Sequence, residues 1–250
     1  MLDSFPRPTI FGHRGACAHA PENTLESFQL AFDQGADGIE LDAKLSADSE
    51  VVVIHDATVE RTTNGHGRVA SHRLADLRTL DAGSFFSEKY HGARIPTLSE
   101  VFEAFGKKGI INIELTNYYG RRDDLAEKVC ELVKKHTLQN HIIFSSFLAY
   151  NLKKAAQILP EVPRGLLALD GWKGMWARSF GFMFGEYQAL HPNIKDVNPQ
   201  QVKRIHRLKR RVHVWTVNAA EDIRRLKEWN VDGIFTDDPQ TAVRALGRGE

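Results

Sequence analysis

The sequence predicts a parallel α/β barrel, (β/α)8, with a small insertion after its second strand. Three observations predict it. Short apolar runs of β type alternate with amphipathic helical stretches along the chain, the pattern of a parallel α/β domain. They form eight strand–helix units in 250 residues, the usual size of such a barrel. No glycine-rich dinucleotide turn follows the first strand, which argues against an open doubly wound sheet.

The candidate strands are residues 9–13 (TIFGH), 37–45 (DGIELDAKL), 51–55 (VVVIH), 110–115 (IINIEL), 141–146 (HIIFSS), 164–169 (RGLLAL), 188–191 (QALH), 212–217 (VHVWTV) and 232–236 (DGIFT). Reading 37–55 as one strand and its extension leaves eight. Helix starts are marked by a capping residue three positions before an acid: Asn23 with Glu26, Thr97 with Glu100, Asp124 with Glu127, and Asn218 with Glu221. Asn198-Pro199 and Asp238-Pro239 read as an N-cap followed by proline at the first helical position. In 125–133, Leu125, Val129, Leu132 and Val133 recur at helical spacing and should face the barrel.

Two stretches break the rhythm. Residues 57–96 are too long for a simple barrel connection and are expected to form an inserted subdomain over the strand-end face. Residues 171–187 (GWKGMWARSFGFMFGEY) are rich in glycine and aromatics. They read either as a distorted helix packed on the barrel or as a rim segment that presents apolar surface to a ligand. No linker or low-complexity segment divides the chain, so 1–250 is read as one barrel domain.

At 42% hydrophobic and 26% charged residues, the composition is that of a globular protein, not a disordered one. A formal net charge of +1 gives no global field for nucleic acid or an anionic membrane, so no nucleic-acid partner is expected. The basic run 203–211 reads as the solvated face of a helix. No apolar run reaches the ~18 residues of a spanning helix, and MLDSFPRPTIFG lacks the apolar core of a secretory signal. Cys17 and Cys130 are too few for a disulfide framework, so a cytoplasmic setting is expected. Cys17 has no base-and-orienter pattern around it. Association into a homo-oligomer stays open.

The chemistry concentrates at strand ends. His13-Arg14 ends the first strand, and Glu40 and Asp42 stand in i, i+2 register on the second, pointing one way. His55-Asp56 ends the extension, Glu114 lies late in the third strand with Asn112 and Thr116 on its face, and Trp215 lies in the seventh. A barrel's active site gathers at the C-terminal ends of its strands, so these residues should converge on one mouth. The histidines would move protons and Arg14 would grip a phosphate. Glu40, Asp42 and Glu114 would repel one another unless a cation sat among them. An all-oxygen donor set favours Mg²⁺ or Ca²⁺ over zinc. The competing reading of Glu114 is an ion pair with Arg14.

HRGACAHAPENT (13–24), GADGIELDAKLSADSEVVVIHD (35–56), NIEL (112–115), VWTVN (214–218) and VDGIFTDDP (231–239) follow in this order. The series resembles the glycerophosphodiester phosphodiesterase family over nearly the whole chain. The resemblance implies a barrel enzyme that hydrolyses small glycerophosphodiesters to glycerol 3-phosphate and an alcohol, usually with a divalent metal, and an insertion where 57–96 lies. One departure matters. The family often carries a lysine two residues after the third-strand glutamate, and this chain has Thr116. Lys44 lies two beyond Asp42, where it either supplies the missing charge to the substrate phosphate or projects into solvent. Trp215 reads as a wall for the substrate's glycerol or acyl part, or as barrel packing. The competing functions are a lysophospholipase D-type phosphodiesterase and an inactive phosphate-sugar binding paralogue. Relatives of the sphingomyelinase D type carry disulfides and a signal, and neither is expected here.

Overall fold

Among the described residues, nine short strands form where the apolar runs lie: β1 (Thr9–Gly12), β2 (Gly38–Leu45), β3 (Val51–Val53), β4 (Ile110–Leu115), β5 (Ile142–Ser146), β6 (Arg164–Ala168), β7 (Ala189–Pro192), β8 (Arg211–Val214) and β9 (Gly233–Thr236). Nearly every residue in them is buried, as expected of parallel strands covered on both faces. The computed structural model describes residues 6–118 and 123–248; residues 1–5 of the amino-terminal stretch considered above lie outside them. Eight strands close a parallel barrel in the order β1-β2-β4-β5-β6-β7-β8-β9. β1 joins the ends, with Thr9 opposite Gly233 on β9 and Phe11 opposite Gly38 on β2.

β3 corrects the reading of 37–55 as a strand and its extension. The chain reverses at 46–50, and β3 runs antiparallel to β2 with Val53 opposite Ala43. The reversal is local chemistry: Ser46 Oγ accepts the Glu50 N–H at 3.0 Å, and Ser49 takes a left-handed φ of 61°. The returning strand brings the Ile54 N–H to the Asp42 carbonyl at 2.9 Å, which delivers His55 back toward the carboxylates of β2.

The helices α1 (Leu25–Asp33), α3 (Leu98–Phe105), α4 (Leu125–Lys135), α5 (Ala149–Ile158), α6 (Phe180–Phe184), α7 (Pro199–Arg207), α8 (Ala220–Glu228) and α9 (Pro239–Ala245) follow barrel strands or, for α3, the insertion. Thr97 and Glu100 form the expected capping box, and Asn198 and Asp238 cap α7 and α9 ahead of their prolines. Leu125, Val129 and Val133 of α4 are buried in the main core, with Leu132 packed against it. Three expected caps do not form. Thr24, not Asn23, caps α1; Asp124 precedes α4 without a side-chain bond; Ala219, not Asn218, precedes α8. Both asparagines are drawn elsewhere, as described below. Between β3 and α3 lies the single turn α2 (Leu74–Leu77) among irregular segments, over its own apolar cluster of Val52, Ile54, Val59, Val69, Leu77 and Ile95.

Phe11, Ile110, Ile143 and Phe235 fill the barrel interior. His213 Nδ1 and His191 Nε2 lie 3.1 Å apart among them. Burial pushes His191 down to about 3 and drives His213 down as well, so the pair is neutral. Gly165 on β6 gives His191 its space: a Cβ there would lie 2.2 Å from the imidazole. No described helix is long and apolar enough to cross a membrane.

Candidate active site

Register assembles the acids. β2 and β4 pair Glu40 with Asn112 and Asp42 with Glu114, and parallel pleating turns all four side chains to one side. Glu40, Asp42 and Glu114 bring their carboxylate oxygens within 4.8 Å of one another. Burial and the neighbouring negative charges push the Glu40 and Glu114 carboxyls well above their usual range. Burial also opposes ionisation of Asp42, but the Arg14 guanidinium, His55 and the Asn23 amide outweigh it and hold Asp42 low. Asn23 Nδ2 donates to Asp42 Oδ2 at 2.9 Å, and the Tyr118 hydroxyl donates to Glu114 Oε1 at 2.7 Å. The cluster thus concentrates its charge on one member.

These residues fit a hard cation. The donors are all oxygen, and two of three acids carry a cost of ionisation that a cation would remove. Asn112 supplies an independent sign. Its Nδ2 donates to Ser145 Oγ at 2.8 Å, while its buried Oδ1 finds no protein partner.

Each histidine is held by a carboxylate at Nδ1. His13 Nδ1 lies 2.6 Å from Asp237 Oδ1, and His55 Nδ1 lies 2.6 Å from Asp56 Oδ1. Such a contact fixes the tautomer and leaves Nε2 for chemistry. Asp237 is itself fixed: Asn218 Nδ2 donates to its Oδ2 at 2.6 Å, Asn218 Oδ1 accepts its N–H at 2.9 Å, and Cys17 Sγ donates to Oδ1 at 3.1 Å. Burial opposes ionisation of Asp237, but the contact with His13, together with these bonds, outweighs it and holds the carboxyl far below its usual range. Burial and the Asp237 charge push the Cys17 thiol far up, so it is a protonated donor and no nucleophile.

Arg14 sits in the left-handed region at φ 53°, which turns its N–H onto Glu40 Oε2 at 2.9 Å. Gly15 follows at φ 89°, where an added Cβ would strike the Ser27 backbone at 2.6 Å; only glycine fits this turn. The Arg14 guanidinium does not pair with Glu114. Its Nη1 donates to Glu22 Oε1 at 2.9 Å, and Nε lies 3.3 Å from Asp42 Oδ2. Glu22 also takes Arg61, whose Nε donates to Asp56 Oδ2 at 2.7 Å. A charge-alternating chain therefore runs Asp42, Arg14, Glu22, Arg61, Asp56, His55.

One cavity of about 240 Å³ unites the site, lined by His13, Arg14, Glu40, His55, Asn112 and Glu114 on one side. Ser145, Phe147, Leu167, Leu169, Trp215 and Phe235 complete its lining. Trp215 thus borders the cavity, with Nε1 donating to the His191 carbonyl at 2.7 Å and its ring edge-on to Phe147. Lys44 stands apart. Its ammonium donates to both the carbonyl and Oγ1 of Thr116, each at 2.8 Å, and it lines a smaller cavity of about 70 Å³ with Arg68, Thr116 and Asp123. It neither projects into solvent nor borders the larger cavity.

The sequence marked no site role for Asp237, Glu22, Arg61 or Tyr118, and marked Asn23 and Asn218 only as helix caps. Asp237 lies in the TDDP segment, and Glu22 and Asn23 lie in PENT, so those motifs marked their places without their tasks. Arg61 and Tyr118 stand outside any motif.

A sequence model of the glycerophosphoryl diester phosphodiesterase family matches residues 13–241. A glycerophosphodiester phosphodiesterase of Caldanaerobacter subterraneus subsp. tengcongensis is 39% identical over 241 residues, covering 96% of this chain and 98% of its own. One from Bacillus altitudinis is 34% identical, covering 94% and 96%. Among solved structures, a phosphodiesterase of Oleispira antarctica, in complex with the product sn-glycerol-3-phosphate, matches with a TM-score of 0.87 at 32% identity, over 96% of this chain and 97% of that one.

Proposed function

Because the chain belongs to the glycerophosphoryl diester phosphodiesterase family, we propose that it hydrolyses glycerophosphodiesters to glycerol 3-phosphate and an alcohol, with His13 and His55 as general acid and base and a divalent cation, Mg²⁺ or Ca²⁺, held by Glu40, Asp42 and Glu114. The observation that carries this reading is the meeting of two carboxylate-held histidines and an all-oxygen acid cluster in one cavity. The sn-glycerol-3-phosphate held by the Oleispira antarctica relative supports the same product here.

With Nδ1 held by aspartate, one imidazole takes a proton at Nε2 from the attacking hydroxyl and the other gives one to the leaving oxygen. The attacking hydroxyl is either the substrate's own neighbour of the phosphate, which yields a cyclic phosphate for water to open, or water directly. Arg14 keeps Asp42 ionised and faces the cavity, where it can also meet a phosphate oxygen. When bound, the cation supplies Lewis-acid charge for the nonbridging phosphate oxygens. Lys44 adds positive charge behind Asp42 and Glu114 from its seat on Thr116. Trp215 and Phe147 wall the glycerol. The two thiols are unbridged, in keeping with a cytoplasmic enzyme.

A lysophospholipase D-type activity is the second reading, favoured by the apolar lining Phe147, Leu167 and Leu169. Incubation with glycerophosphocholine, glycerophosphoethanolamine and lysophosphatidylcholine, each with and without chelator, separates the readings. Release of glycerol 3-phosphate from the first two supports the main proposal. No turnover of any of them with Mg²⁺ or Ca²⁺ present would leave a phosphate-sugar binding protein.

A further inference from the structure

The described surface concentrates its apolar side chains in one place. Seven of the eleven exposed large hydrophobic residues lie between 169 and 184, with Trp172 and Phe184 each 80% exposed and Phe180 68%. This exposure is built from beneath. Arg178 pairs with Asp196 at 3.1 Å and donates to the carbonyls of Leu169 and Gly171, while Arg210 donates to the Phe182 carbonyl and covers the Phe182 ring. Phe182 turns inward onto Tyr187, and Phe180 stacks on Phe184 across the outer face of α6. Polar anchors thus face the barrel and aromatic rings face out, the reverse of an ordinary surface segment.

We propose that this face docks on a phospholipid surface and delivers a phosphodiester bearing an acyl chain to the cavity, an inference that rests on the phosphodiesterase reading. Two observations choose this occupant over a protein. Leu169 both lines the cavity and is 41% exposed beside the patch, so the apolar side of the site continues onto it; a second copy seated there would cover that route. Between Asp170 and Glu186 the segment carries no acid, and with Arg178 held by Asp196 beneath the patch the exposed cation is Lys173, beside Trp172, where it meets headgroup phosphates while the rings enter the acyl boundary.

The test is co-sedimentation with phosphatidylcholine vesicles, comparing wild type with the double variant Trp172→Ser/Phe184→Ser. Both side chains are exposed and outside the catalytic cavity, so turnover of water-soluble glycerophosphocholine should not change. The wild type should sediment, and the variant should lose about tenfold or more of its partitioning, from the loss of two rings that enter the lipid. Turnover of micellar lysophosphatidylcholine should fall in parallel. A wild type that stays in the supernatant overturns the proposal. So does a wild-type dimer in sedimentation velocity that the double variant dissociates, since a second copy would then be the occupant. Failure of glycerophosphocholine turnover in the wild type would strike the catalytic reading instead, and sedimentation would still judge the surface.

Discussion

His13 and Asp237 stand 224 positions apart in the chain, yet Asp237 Oδ1 lies 2.6 Å from His13 Nδ1. Barrel closure makes the contact, because β1 pairs directly with β9. Asp237→Asn should replace the ionised acceptor with a neutral amide that no longer fixes the imidazole's tautomer, and lower kcat on glycerophosphocholine toward the ~10²–10⁴-fold loss of a general acid or base, with KM little changed. Steady-state kinetics check it. A rise in KM with kcat intact would assign Asp237 to substrate binding.

His13→Ala and His55→Ala should each lower turnover by roughly two to four orders of magnitude, because each takes one proton-transfer group from the shared cavity. Rates measured with saturating cation decide it. Either variant turning over near the wild-type rate would remove that histidine from the mechanism.

The barrel was legible because its strands are continuous apolar runs and the helical periods between them are regular. What the sequence hid was competition for side chains. Asn23 and Asn218 carry strong N-cap signals, but Asn23 binds Asp42 and Asn218 binds Asp237, each a contact between distant segments. Capping is a local rule, and a tertiary partner for the same amide overrides it. The same applies to β3, where the apolar pattern of 51–55 fits an extension as well as a hairpin arm. Only the Ser46 to Glu50 turn decides between them. For the acids, the i, i+2 spacing on β2 indicated a shared face for Glu40 and Asp42. Their meeting with Glu114 depends on the β2–β4 register, which no local motif encodes.

Lys44 and Thr116 form one unit, and their substitutions should be coupled. Lys44→Ala should lower kcat/KM by about tenfold, the scale of losing one positive charge that acts through space on Asp42 and Glu114 rather than by a bond to the substrate. Thr116→Lys alone should destabilise, since it removes the Oγ1 acceptor and sets a second ammonium against buried Lys44. In the Lys44→Ala background the same change should recover part of the activity. Thermal melts and kinetics of the two single variants and the double variant measure this coupling. Wild-type kinetics for Lys44→Ala would end the argument.

The neutral His191–His213 pair predicts a pH dependence of stability. Their folded pKa values lie below the unfolded value near 6.5, so the unfolded chain takes up protons first as pH falls. Their contribution is complete above pH 6.5. For His191 it is lost as pH falls from there toward about 3. The slope approaches about 1.4 kcal/mol per pH unit for each histidine. Denaturant unfolding between pH 7.5 and 5.0, with excess divalent cation to keep the acid cluster ionised, should show this decline. A flat profile would mean that the pair accepts protons in the folded barrel.

Phosphodiester hydrolysis by this protein should depend on a cation held by Glu40, Asp42 and Glu114. The most direct test follows glycerol 3-phosphate release from glycerophosphocholine before chelation, after chelation, and after Mg²⁺ or Ca²⁺ is restored, with Glu114→Gln alongside. Chelator should abolish turnover, re-addition of the cation should restore it, and the variant should require more cation than the wild type. Full wild-type turnover in excess chelator, by protein shown to be free of metal, would contradict this dependence.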